Sequence, residues 1–192
     1  MNCTRSVLLY GSEDPLPKPI RLRAGPLTML WEEGALRWIR LGDIEVLHGI
    51  CVVVRDRTWG TVPAEIGNVR LVAREDSFDL SYDVFHREGE IDFCWQGHIT
   101  GMPDGAVIFE MDGRARNAFD TNRTGFSVLH PAACAGKRCC LEDVLGRRHY
   151  GCFPDLISPQ QPFIDIRAIS YEVRPAFWVE VRMEGDTFEM ED

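Results

Sequence analysis

The stretch from Phe78 to Arg116 leaves this chain the least freedom in how it can fold. Phe78, Leu80, Tyr82 and Val84 alternate with Asp79, Ser81 and Asp83. Ile91, Phe93, Trp95 and Ile99 then alternate with Asp92, Cys94, Gln96 and His98, and Val107, Phe109 and Met111 with Glu110 and Asp112. A period of two sends successive side chains to opposite faces, so each run predicts a strand with one buried and one wetter face. The connectors Arg87–Glu90 and Met102–Gly105 are short and turn-like, which makes the three strands an antiparallel meander.

Similar signals continue on either side. Ile20–Ala24 and Leu27–Trp31 read as strands broken at Gly25-Pro26, and Leu36–Leu41 as another after the turn at Glu32–Gly34. Ile50–Val54 is apolar at every position, as expected for a strand covered on both sides. Gly125–Leu129, Phe163–Val173 and Phe177–Met183 complete the set, and no stretch shows a sustained helical period. The expectation is an all-β fold, a large antiparallel β-sandwich of about a dozen strands, in a single domain spanning residues 1–192. Residues 132–157, rich in Cys and Arg and punctuated by Gly136 and Gly146, read as a loop-like insertion.

At 192 residues and 45% hydrophobic, the chain is long enough to bury a sizeable core. Its formal charge of −9 argues against nucleic acid as a partner, because that affinity comes from Lys and Arg neutralising phosphates. Five carboxylates and no Lys or Arg lie between Glu184 and Asp192, either a solvated tail or an element whose basic partners lie elsewhere. Phe188 and Met190 among them are expected to form a partly exposed apolar patch. Seven cysteines without a paired framework fit a reducing compartment. Val7–Tyr10 is too short for a signal-peptide core or a membrane span, so the expected location is the cytoplasm, with no membrane partner.

Chemistry-bearing groups concentrate in two β-prone segments, Asn122–Pro131 and Ser158–Arg167. Asn122, Arg123, His130, Gln161, Asp165 and Arg167 supply amides, guanidinium groups, an imidazole and a carboxylate, the groups that a sugar acid or lactone would need around it. The structural alternative is an Arg123–Asp165 ion pair stapling two strands, with His130 capped by backbone. Cys134, Cys139, Cys140 and Cys152 lie near His130 and His149, but their spacing suits no common zinc knuckle, so no metal and no cofactor are expected. Ser127 in Gly125-Phe126-Ser127 is not in a nucleophile elbow. The carboxylates Asp79, Asp83, Asp92, Glu110 and Asp112 read as a solvated or partner-facing sheet surface rather than an acid/base pair.

The two polar segments, together with Gly34–Arg40, Val54–Thr61 and the closing Glu184–Asp192, resemble the N-terminal domain of the D-apionate lactonases, over residues from about 25 to the end. The resemblance implies an N-terminal β-sandwich followed in the same polypeptide by a (β/α)-barrel and a small C-terminal β domain. It also implies a carbohydrate hydrolase that opens a branched-chain sugar lactone to its acid. Barrel enzymes place their chemistry at the C-terminal ends of the barrel strands, so the catalytic residues are expected in that barrel rather than here. Asn122, Arg123, His130, Gln161 and Asp165 are then candidates for substrate contact. The alternatives are a stand-alone sugar-converting enzyme similar to the galactose mutarotases, with His130 as acid and Asp165 as base, or a carbohydrate-binding module without chemistry.

Overall fold

The computed structural model describes residues 4–13, 18–156 and 161–190. Antiparallel sheets account for nearly all of the regular structure, and the fold class is all-β, a sandwich architecture as expected. The one short α-helix among the described residues, α1 (Arg5–Tyr10), escapes a periodicity argument because it is six residues long. The Thr4 side chain caps its start and Gly11, at φ 79°, ends it in the left-handed region. No helix among the described residues is long and apolar enough to cross a membrane. Two compact units emerge, Met1–Arg37 with Ile50–Ser127, and Trp38–Gly49 with Val128–Asp192.

One sheet holds β1 (Ile20–Ala24), β2 (Leu27–Glu32), β3 (Ala35–Leu41), β4 (Ile44–Asp56) and, from later in the chain, β9 (Thr121–Leu129), in the order β1-β2-β3-β4-β9. A second, wholly within the first unit, holds β5 (Glu65–Ala73), β6 (Phe78–Glu88), β7 (Ile91–Gly101) and β8 (Val107–Ala115) in sequence order. The predicted meander is β6-β7-β8, paired from Phe78↔Gly101 to Glu88↔Ile91 and from Phe93↔Ala115 to Gly101↔Val107.

In the first unit the inward face of β6 and β7 packs on β1, β2 and the start of β3. Phe78, Leu80, Tyr82, Val84, Trp95 and Ile99 are buried, as are Leu22, Met29, Trp31 and Leu36 opposite them. Tyr82 ties the layers together. Its ring meets Trp31 edge-on at 5.3 Å, and its hydroxyl donates to the Gly34 carbonyl at 2.9 Å. Gly97 faces this ring because a Cβ there would reach 2.5 Å from it. Ile50–Val53, expected to be covered on both sides, are only half-buried, and Val54 alone in that run is fully buried.

The second unit is built on the sheet β11-β10-β12-β13, with β14 pairing β12. Here β10 is Arg138–Asp143, β11 Arg148–Cys152, β12 Phe163–Arg174, β13 Phe177–Arg182 and β14 Phe188–Met190. The described part of the segment 132–157 is therefore not a loop-like insertion. It carries a 3-10 turn at Ala132–Cys134 and the β10–β11 hairpin, whose first strand pairs with β12. Cys139, Leu141 and Asp143 point inward while Arg138 is exposed and Cys140 and Glu142 are half-buried, an alternation masked by cysteine and a buried acid standing at apolar positions. The core of this unit joins Cys134, Cys139, Leu141, Phe153, Ile166, Ile169 and Tyr171. Phe188 and Met190 pack against it half-buried, while Glu191 and Asp192 lie outside the described residues.

Candidate functional site

The most site-like surface of the first unit forms where the turn after β4 meets the start of β9. Asp56 ends β4, and its Oδ1 accepts from the Thr58 amide at 2.7 Å, the Thr58 hydroxyl at 2.8 Å and the Gly60 amide at 2.8 Å. Those donors, the Thr58 hydroxyl foremost, hold the carboxyl below its ordinary pKa, so it stays ionised and keeps the turn closed at neutral pH. Gly60 is required by contact rather than by φ, because a Cβ there would lie 2.6 Å from Asp56 Oδ2. The turn forces Trp59 to φ 70°, a left-handed conformation that costs a bulky side chain of order 1–3 kcal/mol. Trp59 is nonetheless 55% exposed, so its strain is not repaid by burial.

β9 completes this surface. Asn122 Nδ2 donates to the carbonyls of Asp56 at 3.2 Å and Arg57 at 2.8 Å, and the Thr121 hydroxyl donates to the Arg55 carbonyl at 2.7 Å. The Asn122 amide nitrogen is thus spent on clamping the turn. The Arg123 guanidinium lies 5.5 Å from the centre of the Trp59 ring, within cation–π range. An exposed indole beside a planar cation offers a stacking platform for the C–H face of a sugar ring, with a fork that can hydrogen-bond to ring oxygens or hydroxyls.

His130, Gln161 and Asp165 belong to the second unit. The His130 ring packs on Phe153 at 5.0 Å and Tyr171 at 5.3 Å. Tyr171 is itself buried, and its single hydroxyl proton goes to the Val46 carbonyl at 2.7 Å. The 3.3 Å contact between His130 Nδ1 and the Tyr171 oxygen therefore has the imidazole as donor. Desolvation pushes the His130 pKa down to about 4, and its environment is that of a neutral packing residue. Asp165 is exposed at φ 55° in an irregular part of β12, where its carbonyl accepts from Val144 N at 3.0 Å. Gln161 and Arg167 are exposed, and Ser158, Pro159 and Gln160 lie outside the described residues. Among the described residues no hydrogen bond or ion pair joins His130 to Asp165, so the acid/base pair of a mutarotase-like enzyme is not assembled.

Comparison with known proteins decides the family. The family model for the N-terminal domain of D-apionate lactonase matches residues 7–192. The chain belongs to this family. It is also similar to the D-apionate lactonase of Brucella anthropi, 38% identical over 192 residues that include 96% of this chain. The chain spans 31% of the length of that relative. No solved structure matches it.

Two features of this chain leave no periodic signal in the sequence. Trp59 was one, since an exposed tryptophan in a turn belongs to no periodic run and its strained backbone has no sequence signature. The other is Asp143, buried at the end of β10, whose Oδ1 accepts from the amides of Leu145 and Arg147 and whose Oδ2 accepts from Arg147 Nε at 2.7 Å and His149 Nε2 at 2.9 Å. These donors, His149 first, keep its pKa well below the usual carboxylate range. His149 therefore serves the hairpin turn. Cys134 and Cys139 lie in the core, where burial pushes their thiols up in pKa, in Cys139 to about 11.

Proposed function

We propose that this chain acts as the N-terminal β-sandwich domain of a D-apionate lactonase-like hydrolase, supplying a sugar-contacting wall rather than the reacting groups. Opening a lactone takes an activated water or nucleophile, and donors for the oxyanion that develops on the carbonyl. The catalytic residues belong, on this reading, to a (β/α)-barrel domain in the same polypeptide, in the part of the relative that this chain does not match. The substrate is a small branched sugar lactone and the product its acid. Free thiols, two of them in the core of the second unit, suit a cytoplasmic enzyme.

The observation that carries this reading is the exposed Trp59, held in a strained conformation by Asp56 and overlaid by Arg123. Strain kept at an exposed aromatic points to use rather than to packing. The test is turnover of D-apionolactone by residues 1–192 alone and by a longer lactonase containing this domain. The reading predicts none for the isolated chain. In the longer protein, Trp59→Ala raises KM about tenfold, equivalent to about 1.4 kcal/mol of lost binding, with kcat little changed. Robust turnover by the isolated chain, or unchanged KM in the variant, contradicts it.

A further inference from the structure

The solvent face of β5–β7 carries a depression that the Trp59 surface does not use. Its floor is Ser81, which sits opposite Arg70 on β5 and His98 on β7, while Asp83 sits opposite Gln96. A short side chain among longer ones leaves an open pit, and the side chains around it border about 350 Å³. That volume is at the low end of small-molecule sites and suits a monosaccharide.

One end of the pit is an ordered array. Between Gly67 and Arg70 the register of β5 shifts, and Asn68 there adopts φ 52°. The bulge aims its amide at Asp83, with Nδ2 2.6 Å from Oδ2, while Gln96 Nε2 reaches Oδ1 at 2.9 Å. Each amide spends one N–H on the same carboxylate, so a ligand meets the amide carbonyls, the second N–H of each amide and the outer lone pairs of Asp83. At the other end His98 lies between Asp79 at 2.8 Å and Glu110 at 3.3 Å, and those carboxylates, Asp79 foremost, raise its pKa. Arg70 and the Ser81 hydroxyl supply donors. Three carboxylates against one guanidinium and one imidazole disfavour an anion. Hydroxyl groups, which donate and accept at once, match the mixture.

We propose that the Ser81 depression binds a neutral polyhydroxylated molecule of monosaccharide size, with Asp83 and its two amide partners as the recognition group. This binding is independent of lactone opening.

The experiment is an amide NMR titration of the 192-residue chain with the neutral branched sugar D-apiose and, separately, with the anion D-apionate. D-apiose is expected to shift Ser81, Asp83, Gln96 and His98 saturably with a Kd on the order of 1–10 mM, and D-apionate to bind about tenfold more weakly. Ser81→Gln fills the pit and Asn68→Ala removes one amide at an exposed position. Each weakens D-apiose binding about fivefold or more, with the thermal transition monitored to confirm folding. The proposal is overturned if D-apiose gives no saturable shift at these four residues, if D-apionate or calcium ion binds there more tightly than D-apiose, or if either folded variant binds D-apiose as the parent does.

Discussion

The indole Nε1–H of Trp95 donates to Nε2 of His86 at 3.1 Å inside the core of the first unit. With Nε2 accepting, the imidazole proton sits on Nδ1 and is donated to the Val62 carbonyl at 3.1 Å. One neutral ring therefore satisfies a donor and an acceptor that no other described group serves. His86→Phe keeps an aromatic ring, a little larger, and orphans both, and a buried unpaired group costs about 1–3 kcal/mol. The expected result is a denaturation midpoint lowered by about 2–3 kcal/mol of stability, with an unchanged denaturant slope. A variant as stable as the parent would show that these hydrogen bonds contribute nothing net.

Acid should destabilise the chain from a pH above the carboxylate range. Burial lowers the pKa of His86, and it lowers that of His130 from 6.5 to about 4. In the unfolded chain both rings take a proton near 6.5, whereas in the folded chain they resist it. Stability from this source is therefore complete above about pH 6.5 and falls as pH drops toward the folded values. For His130 the gap between 6.5 and about 4 caps the loss at roughly 3 kcal/mol. Asp143 acts at lower pH: its depressed pKa gives stability that is present above the unfolded carboxylate value and lost as pH falls through the folded one. Urea unfolding between about pH 7 and pH 2, with imidazole NMR signals followed in parallel, checks the order of these losses. A His130 resonance titrating near 6.5 would refute the half-buried, neutral assignment.

Gly25 is a tight joint of backbone against backbone in the first unit. It adopts φ 52°, and a Cβ added there would collide with the Pro103 carbonyl and come within 2.9 Å of the Gly105 amide. The β1–β2 turn thus leans on the backbone of the β7–β8 turn, where no rotamer change can relieve the clash. Gly25→Ala is expected to cost about 2–3 kcal/mol, combining left-handed strain with overpacking, and to lower the thermal midpoint by several degrees. Gly42, at φ 60° with open space where a Cβ would stand, is the control, with only the smaller backbone penalty.

How much of this was legible in the sequence depends on how each element meets water. β6 and β7 were readable because their inward rows from Phe78 to His86 and from Ile91 to Gly101 are buried at every second residue. β5 was not, because its residues are exposed or half-buried throughout and a register shift breaks the period at Asn68. Of the site residues, Asn122 and Arg123 were found through crowded polar chemistry and do reach the Trp59 turn. His130 carried the same signal for a different reason, since a histidine donating to a buried tyrosine looks in sequence like one poised over a substrate.

The most direct test of the sugar-contacting role follows the side-chain indole N–H signals of the five tryptophans by NMR as D-apionolactone is added to the chain. The account predicts that one indole signal, assigned to Trp59 by its loss in Trp59→Ala, shifts saturably, and that Asp56→Ala, which frees the turn, weakens that response about tenfold. A Trp59 signal that does not move at saturating lactone, or a response that persists in Trp59→Ala, would contradict it.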